Sequence, residues 1–402
     1  MKRLFLHIGR HKCGTTSIQK TLYHNRGKLL ESGFYYPSTG IRVSAHHEIA
    51  EALGGKNPAA DQEVRDGLYL SLKEEAQRTN CRNIVISSEQ FQSCNPAVVA
   101  AFFADFDVIP ICYLREQAAY LRSSYLQKVH ATNYTGSIEK FYQEGFYTDY
   151  KVFLEKWKAV FKQDFHIRLF DKDSLTDGDA VTDFLVAVLG LYREEIENLQ
   201  MLSDENPSLS REMLAFKLEY NARNLPNNGT VYFGLGKLSK GGGSKYEIPL
   251  EITEEVRAQY AESNRWVEEN LLSDAQKFSY PHYEGDALEK MPDGAFDAVF
   301  QELDTMKEKE KEEERKRAKE ERQQARQREK EAKREAEKQA RQKKRRRIRQ
   351  RERLKEKMRE EERQRRQKLK DEKQLRKQAR LTEGDASRPL GRAINAILRL
   401  RK

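Results

Sequence analysis

Lys2 to Ser17 read KRLFLHIGRHKCGTTS, which is an apolar run ending at Gly9, a polar loop, and a helix-like stretch that opens at Gly14. This order predicts a strand, a loop and a helix. The first N–H groups of a helix have no partner within the helix, and the helix dipole is positive at the same end. A junction of this kind therefore binds anions such as phosphate, and we look for the function there first.

The loop has the glycine spacing of a Walker A motif, G-x-x-x-x-G-K-[ST], but not its lysine. Thr15 stands where a nucleotide triphosphatase places that lysine, and Lys12 lies in the middle of the loop. From there its ammonium would lie beside a bound phosphate group, on the side from which a terminal group leaves. A chance Gly- and Thr-rich helix start is the alternative interpretation of the loop taken alone.

Further apolar runs alternate with helical patterns along the chain. Strands are predicted at 34–37, 83–87, 107–115 and 165–170, and helices from the loop to Gly33 and at 61–79 and 183–191. Such alternation is typical of a parallel sheet, whose ligands bind outside the carboxyl ends of the strands. The less regular part at 192–300 is predicted to contain helices around 208–224 and 252–272 and a mobile Gly-rich loop at 236–245.

The core HIGRHKCGTTSIQ resembles the sulfotransferases that use 3′-phosphoadenosine-5′-phosphosulfate, in particular their bacterial, carbohydrate-type branch, whose 5′-phosphosulfate loop reads K-x-G-T-T after the first strand. The resemblance covers residues 1–210. It implies an α/β, P-loop-like three-layer domain with a central parallel sheet, and sulfuryl transfer that requires no metal. It also implies a catalytic role for Lys12 and a set of donor-binding residues, which are Arg10, Lys12, Cys13, Gly14, Thr15, Thr16 and Ser17.

A second motif follows the strand at 107–115. Arg115 ends this strand, and Ser123 lies eight residues later in the next helix. A guanidinium and a hydroxyl at this edge of a sheet can share one phosphate, although an arginine at a strand end is more often a surface ion pair. In the sulfotransferases, an arginine and a serine at these places bind the 3′-phosphate of the donor, and YLREQAAYLRSSYLQ is similar in both. A kinase has no use for such a second phosphate site.

A hydroxyl acceptor needs a general base in the same cleft. Glu89 directly follows the strand at 83–87 and resembles a glutamate at the corresponding place of several glycan sulfotransferases, so it is the first candidate. The alternative is a structural carboxylate that bonds loop amides or pairs with a nearby cation. His46 and His47 are the competing bases, although a histidine at a helix start more often makes a local hydrogen bond.

The basic character of the chain belongs to its C-terminal part. Residues 307–380 hold 35 Lys and Arg against 18 Asp and Glu, a net charge of +17, and residues 381–402 add +3. Because the whole chain carries +10, residues 1–306 carry −10. Nucleic-acid binding is therefore not inferred for the globular part, and no specific nucleic-acid partner is expected.

Composition divides the chain into one globular domain and two C-terminal segments. They are a sulfotransferase domain at 1–300 with a core at 1–210 and a helical, loop-rich part at 211–300, a long charged helix at 301–381, and a basic amphipathic tail at 382–402. The charged part consists of strong helix formers with a weak heptad seam, which favours a single helix held by i,i+4 ion pairs over a weak coiled coil. The tail could lie on an anionic membrane, bind a protein partner or dock on the globular domain.

The four cysteines predict free thiols. Cys13, Cys81, Cys94 and Cys112 form no CxxC pair and no metal-ligand spacing with histidines. Free thiols fit a reducing compartment better than secretion. LFLHIG is too short for the apolar region of a signal peptide, and no apolar run approaches the ~20 residues that span a bilayer. We therefore expect a cytoplasmic protein, with a peripheral contact at the inner membrane surface left open.

Together these features predict an enzyme that transfers the sulfuryl group from 3′-phosphoadenosine-5′-phosphosulfate to a hydroxyl acceptor, with a carbohydrate as the preferred class. A nucleotide-dependent P-loop kinase is an alternative that Thr15 disfavours. The other alternative is a degenerate nucleotide-binding module that serves as a scaffold, with the charged helix as a spacer. The acceptor is expected to be chosen by residues 40–80 and 130–300, where the sequence contains no diagnostic motif.

Overall fold

Five parallel strands form the central sheet, and the strand that precedes the phosphate-type loop lies in the middle of it. The computed structural model describes residues 1–55, 59–162, 165–202, 208–273, 276–286, 288–289, 291–292 and 294–382. The strands are β1 (Lys2–His7), β2 (Phe34–Tyr35), β3 (Asn83–Ser87), β4 (Phe106–Leu114) and β5 (His166–Leu169). Their order is β2-β3-β1-β4-β5, and each neighbouring pair is parallel. All carboxyl ends therefore meet at one edge, where the loop after β1 lies.

Helices connect and cover the strands. They are α1 (Thr15–His24), α2 (Arg26–Glu31), α3 (His47–Ala52), α4 (Gln62–Arg78), α5 (Pro96–Phe102), α6 (Gln117–Ala131), α7 (Ile138–Gln143), α8 (Tyr150–Val160), α9 (Ala180–Asp183), α10 (Arg193–Glu197), α11 (Arg211–Ala222), α12 (Gly229–Gly241), α13 (Leu250–Leu271) and α14 (Ala295–Thr382). A short 3₁₀ helix, Glu89–Ser93, follows β3, and α9 continues into a π-helical turn at Phe184–Val188.

Alternate residues of β1 face two different cores, as the two-residue period of a strand requires. Leu4 and Leu6 belong to a core formed with α4, α5 and α8. Phe5 belongs to a second core, formed with α1 and α9. Helices thus cover both faces of a parallel sheet, which is the arrangement that buries such a sheet completely. The predicted fold class, α/β with a P-loop-like three-layer domain followed by a long charged helix, is confirmed.

The strands lie where the sequence predicts them, and the first helix differs. β3 has the predicted bounds, and β4 begins and ends one residue earlier. The helix predicted from the loop to Gly33 is two helices, because α1 ends at His24. Buried Asn25 explains the break, since its side-chain amide donates to the carbonyl oxygens of Thr21 and Gln200 at 2.8 and 2.9 Å. The side chain of Asn25 thus supplies a hydrogen-bond donor to a carbonyl group in the last turn of α1, where the chain changes direction.

The predicted mobile Gly-rich loop at 236–245 is wrong in its first half, where α12 lies. Asn228 caps this helix by accepting the N–H of Val231 at 3.1 Å, and Val231 is buried in a core of helices. Gly234 permits a close approach, because a Cβ there would lie 2.5 Å from Cδ2 of Leu303. The glycine therefore serves helix packing, which glycine content alone cannot indicate.

A third core lies mainly between helices. It joins α6, α11, α12 and α13 with the first turns of α14, from which Phe296 and Leu303 are buried. One compact unit of the chain accordingly comprises Met1–Glu308. The domain limits given above from composition stay predictions.

The second unit begins at Lys309 and contains the charged part of α14. Its described side chains are almost all exposed, and i,i+4 ion pairs such as Arg366–Glu362 and Arg376–Glu372 join neighbouring turns, each at 3.0 Å. Of the tail predicted at 382–402, residues 383–402 lie outside the described residues. None of the helices that the structure describes combines the length and the apolar character needed to cross a bilayer.

Candidate active site

The loop between β1 and α1 is tight because three of its residues adopt left-handed backbone conformations. Gly9, Lys12 and Gly14 have φ angles of 57°, 63° and 74°. The glycines also allow close approach, because a Cβ at Gly9 would lie 2.7 Å from Cα of Glu89 and one at Gly14 would lie 2.8 Å from the ring of Phe170. The loop is thus enclosed between the residues that follow β3 and β5.

The N-terminus of α1 fits an anion. Gly14 precedes the helix, and no acidic residue lies in its first turn. Hydrogen bonding within the helix begins when the N–H of Ile18 donates to the carbonyl oxygen of Gly14 at 3.2 Å. The N–H groups before Ile18 therefore have no acceptor within α1 and are directed out of its positive end. This arrangement is the cradle that the sequence predicts.

The residues that follow Lys12 differ in exposure. Cys13 is fully buried, and burial raises the pKa of its thiol to about 11, so that the thiol stays protonated. Thr15 is buried, Ser17 is half-buried and Thr16 is exposed. Cys13 can therefore serve an anion only through its backbone N–H, whereas the hydroxyls of Thr16 and Ser17 remain accessible.

The structure brings Lys12 and Arg115 together although 103 residues separate them. Nη1 of Arg115 donates to the carbonyl oxygen of Lys12 at 3.1 Å, which fixes the loop to the end of β4. Nζ of Lys12 donates to Oε1 of Gln127 at 3.1 Å, and Nε2 of Gln127 donates to the hydroxyl oxygen of Tyr232 at 3.4 Å. The two predicted motifs thus belong to one site, and α12 supports it through Tyr232.

Arg122 and Lys245 add positive charge near Arg115, and no motif in the sequence indicates them. Arg122 is buried, and its Nε donates to the carbonyl oxygen of Tyr246 at 2.5 Å. Burial lowers the pKa of Lys245, and the positive charges of Arg122 and Arg115 lower it further. Ser123, the next residue on α6, is buried. The three cations thus form a group of positive charge that fits a second phosphate, and the part of Ser123 in it stays a prediction.

The segment that carries Lys245 is held in place by α11. Ser210 and Lys245 form an antiparallel bridge, and the N–H of Ser244 donates to both carboxylate oxygens of Glu212 at 3.1 and 3.0 Å. Gly243 permits this contact, since a Cβ there would lie 2.4 Å from Oε2 of Glu212. The signal that could have indicated Lys245 is its place directly after the GGGS run.

Glu89 begins the 3₁₀ helix after β3 and is held by Gln19 of α1. Nε2 of Gln19 donates to Oε2 of Glu89 at 2.9 Å and to the hydroxyl oxygen of Ser87 at 3.3 Å. Burial would raise the pKa of Glu89, but the hydrogen bond from Gln19 and the charges of His47 and His11 outweigh it, so the pKa lies below its usual value. Glu89 is therefore an ionised carboxylate next to the loop.

His47 lies at the same site as Glu89. Its Nε2 is 4.0 Å from Oε1 of Glu89, and its Nδ1 is 2.9 Å from the hydroxyl oxygen of Ser88. The distance of 4.0 Å is too long for a direct hydrogen bond. Two of the predicted bases are thus neighbours at one edge of the loop.

His46 has a different environment. It is fully buried, its Nδ1 accepts the N–H of Ser87 at 3.1 Å, and its Nε2 lies 3.1 Å from the carbonyl oxygen of Pro37. Both ring nitrogens are therefore occupied by backbone groups. His46 ties the start of α3 to the end of β3, which places His47 at the site.

Acid is expected to destabilise the folded protein below about pH 6.5. Burial lowers the pKa of His7, His46 and His130 to about 4, so the folded state keeps them neutral where the unfolded chain, with a pKa of 6.5, binds protons. Stability should fall as the pH drops from 6.5 to about 4, by up to about 3 kcal/mol for each histidine. Urea unfolding at pH 7, 6 and 5 measures this, and His46→Gln should weaken the pH dependence. A midpoint that does not move over this range contradicts the expectation.

Arg10 contacts a different part of the protein from Lys12. Its side chain is 8% exposed, and Nη2 donates to the hydroxyl oxygen of Thr148. Its guanidinium carbon lies 5.5, 5.2 and 5.0 Å from the ring centroids of Tyr120, Tyr150 and Phe153. Arg10 thus leaves the loop towards α8, and its assignment to the donor stays a prediction.

Comparison with known proteins yields a similarity in sequence and a similarity in structure. No protein-family model matches the chain. An uncharacterized protein of Archaeoglobus fulgidus is 34% identical over 131 residues, which are 32% of this chain and 35% of that protein, so the match spans about a third of the relative. The crystal structure of a sulfotransferase from Alicyclobacillus acidocaldarius is similar with a TM-score of 0.35 and 13% identity, over 67% of this chain and 95% of that one. These similarities do not assign an activity, so the proposal below rests on the residues of the site.

Proposed function

We propose that this protein transfers the sulfuryl group of 3′-phosphoadenosine-5′-phosphosulfate to a hydroxyl group of an acceptor, with a carbohydrate as the acceptor class. The observation that carries the proposal is the hydrogen bond from Arg115 to the backbone of Lys12. It joins a phosphate-type loop without a Walker lysine to a second group of cations. A donor with two separate phosphate-bearing ends suits this pair of subsites better than a nucleoside triphosphate does.

The residues present fit such a donor at both ends. The N-terminus of α1 would hold the 5′ end of the donor. Gly9 and Gly14 keep the loop tight there, because a Cβ at either position would clash with neighbouring residues. Arg115, Ser123 and the neighbouring cations would hold the 3′-phosphate. The donor supplies an activated sulfuryl group, and its departure leaves 3′,5′-adenosine bisphosphate.

In this proposal, Lys12 stabilises negative charge on the leaving group. Its ammonium can neutralise the negative charge that develops on the oxygen between phosphorus and sulfur as the S–O bond breaks. Because Gln127 accepts a hydrogen bond from Nζ at 3.1 Å, the protein itself positions the lysine. Preorganised charge of this kind lowers the barrier without reorganisation during the reaction.

Glu89 takes the proton from the acceptor hydroxyl in this proposal. An ionised carboxylate beside the loop can remove that proton as the new S–O bond forms, and Gln19 orients it. His47 lies 4.0 Å away and can stabilise the carboxylate electrostatically. His46 takes a structural part only, because both of its ring nitrogens bond to backbone groups.

Binding of 3′,5′-adenosine bisphosphate is expected to raise the Tm of the full chain by about 5 °C at a ligand concentration of about 100 Kd. ATP with magnesium should raise it less. Arg115→Ala should remove most of the shift, since it deletes a cation of the second phosphate subsite. Arg265→Ala is the matched control, because Arg265 is exposed on α13 and outside the site. Stabilisation by ATP with magnesium alone would contradict the proposal and favour a kinase.

A further inference from the structure

A cavity of about 260 Å³ lies beside the phosphate-type loop, and no step proposed above uses it. Most of its lining comes from the loop, from the 3₁₀ helix that begins with Glu89, and from α8 with the segment that leads into it. The polar residues of the lining are Arg10, Gln92, Ser93, Thr148, Asp149 and Lys156. The cavity thus shares the loop with Lys12 and the 3₁₀ helix with Glu89.

Arg10 brings a buried charge to this cavity without a counterion. Its Nε is buried and has no hydrogen-bond partner, and its Nη2 donates to a neutral hydroxyl, that of Thr148. Its guanidinium otherwise faces the rings of Tyr120, Tyr150 and Phe153. In the part of the chain that the structure describes, no carboxylate pairs with Arg10. A buried guanidinium without a carboxylate is costly, and an anionic ligand would compensate it.

The other charged residues of the lining also favour a negatively charged ligand. Lys156 is an exposed cation on α8. Asp149 is the one carboxylate among the lining residues, but it is engaged elsewhere, since Oδ1 accepts the N–H of Val152 at 3.1 Å and the hydroxyl of Ser263 at 2.9 Å. Asp149 thus caps α8, and the two cations leave the lining with a net charge of +1.

We propose that this cavity binds a carboxylate of the acceptor, so that the acceptor is an acidic saccharide of the uronic-acid class. The planar guanidinium of Arg10 and the ammonium of Lys156 would bind the carboxylate. Exposed Tyr147 and half-buried Phe153 supply apolar surface for a sugar ring. The inference rests on the proposed function, and it assigns Arg10 to the acceptor and not to the donor.

The position of the cavity relative to Glu89 supports this assignment. Gln92 lies three residues after Glu89 on the same 3₁₀ helix, a rise of about 6 Å. The cavity is thus close enough to Glu89 for a saccharide to reach both. A hydroxyl group of the saccharide would come next to the proposed base.

Calorimetric titration of the full chain with two matched probes tests the inference. The acidic probe is a tetrasaccharide of alternating glucuronic acid and N-acetylglucosamine, and the neutral probe is the same tetrasaccharide with its carboxyls reduced to alcohols. In the presence of saturating 3′,5′-adenosine bisphosphate, the wild type should bind the acidic probe at least about tenfold more tightly. Arg10→Gln and Lys156→Gln should each lower this preference by about tenfold or remove it. Lys158→Gln, on the same helix but outside the lining, should keep it.

The outcomes separate this inference from the proposed function. Loss of nucleotide binding in Arg10→Gln would overturn the inference, because Arg10 would then serve the donor. A preference for the acidic probe that survives in both Arg10→Gln and Lys156→Gln would overturn it as well. If Arg10→Gln does not fold, the Lys156→Gln variant alone tests the inference, because Lys156 is exposed and its replacement should not affect folding. A wild type that binds the acidic probe but no adenosine bisphosphate would instead refute the proposed function and support binding of an acidic saccharide in the cavity.

Discussion

Replacing Lys12 with alanine is expected to lower kcat by about 10²–10³-fold. The ammonium acts on charge that appears on the leaving oxygen as the bond to sulfur breaks, so its contribution is larger in the transition state than in the bound substrate. The affinity for 3′,5′-adenosine bisphosphate should therefore fall much less than kcat. Transfer of labelled sulfate from the donor to a glycan panel measures the rate, and a Tm shift with the bisphosphate measures binding.

The control for this variant is Lys20→Ala. Lys20 lies on α1, is half-buried and belongs to no contact of the site. It should leave both the rate and the nucleotide affinity within about twofold of the wild type, because surface charges contribute little. An active Lys12→Ala variant would contradict the catalytic role and would agree with the scaffold alternative, in which the charged helix is the working part.

Replacing Glu89 with glutamine is expected to lower kcat by about 10²–10⁴-fold, the range of general base catalysis. Glutamine keeps the size of the side chain and still accepts a hydrogen bond from Gln19, but it takes no proton. Nucleotide binding should not change, because Glu89 is not in the donor subsites. His47→Gln is the matched comparison, and it should cost less than Glu89→Gln.

The pH profile of the wild type distinguishes the two candidate bases. The pKa of Glu89 lies below its usual value, so a Glu89 base stays ionised and kcat should be nearly constant from about pH 8 to about pH 6. An imidazole ordinarily gains its proton in this range, so a histidine base predicts a kcat that falls with the pH. A falling profile together with a larger loss in His47→Gln than in Glu89→Gln would make His47 the base.

The sheet and the loop could be predicted because their signals are local. The strand runs are apolar and short, and the glycines at 9 and 14 stand where the backbone must turn through left-handed conformations. Arg115 could be placed because a strand end at the carboxyl edge of a parallel sheet faces the ligand side. These inferences need only the residues within one element and the topology that the alternation implies.

The contacts that position the site could not be predicted in the same way. Gln19 and Gln127 look like ordinary polar positions of helices, and their partners lie 70 and 115 residues away. His46 and His47 are adjacent and identical in type, and only tertiary structure shows that one bonds to the backbone and the other lies beside Glu89. The glycines at 236–245 predict a mobile loop, whereas residues 236–241 belong to α12. That helix packs on Leu303 at Gly234, and this contact depends on a helix far along the chain.

The link from Lys12 through Gln127 to Tyr232 has a consequence for how such a chain can diversify. The recognised motifs end near residue 210. The ammonium of Lys12, however, is held by Gln127, which in turn bonds to a residue of α12, beyond that point. Substitutions in α12 can thus retune the reactivity of the loop while each motif residue remains unchanged. Two proteins with the same loop could differ in rate because of a segment that no motif comparison would inspect.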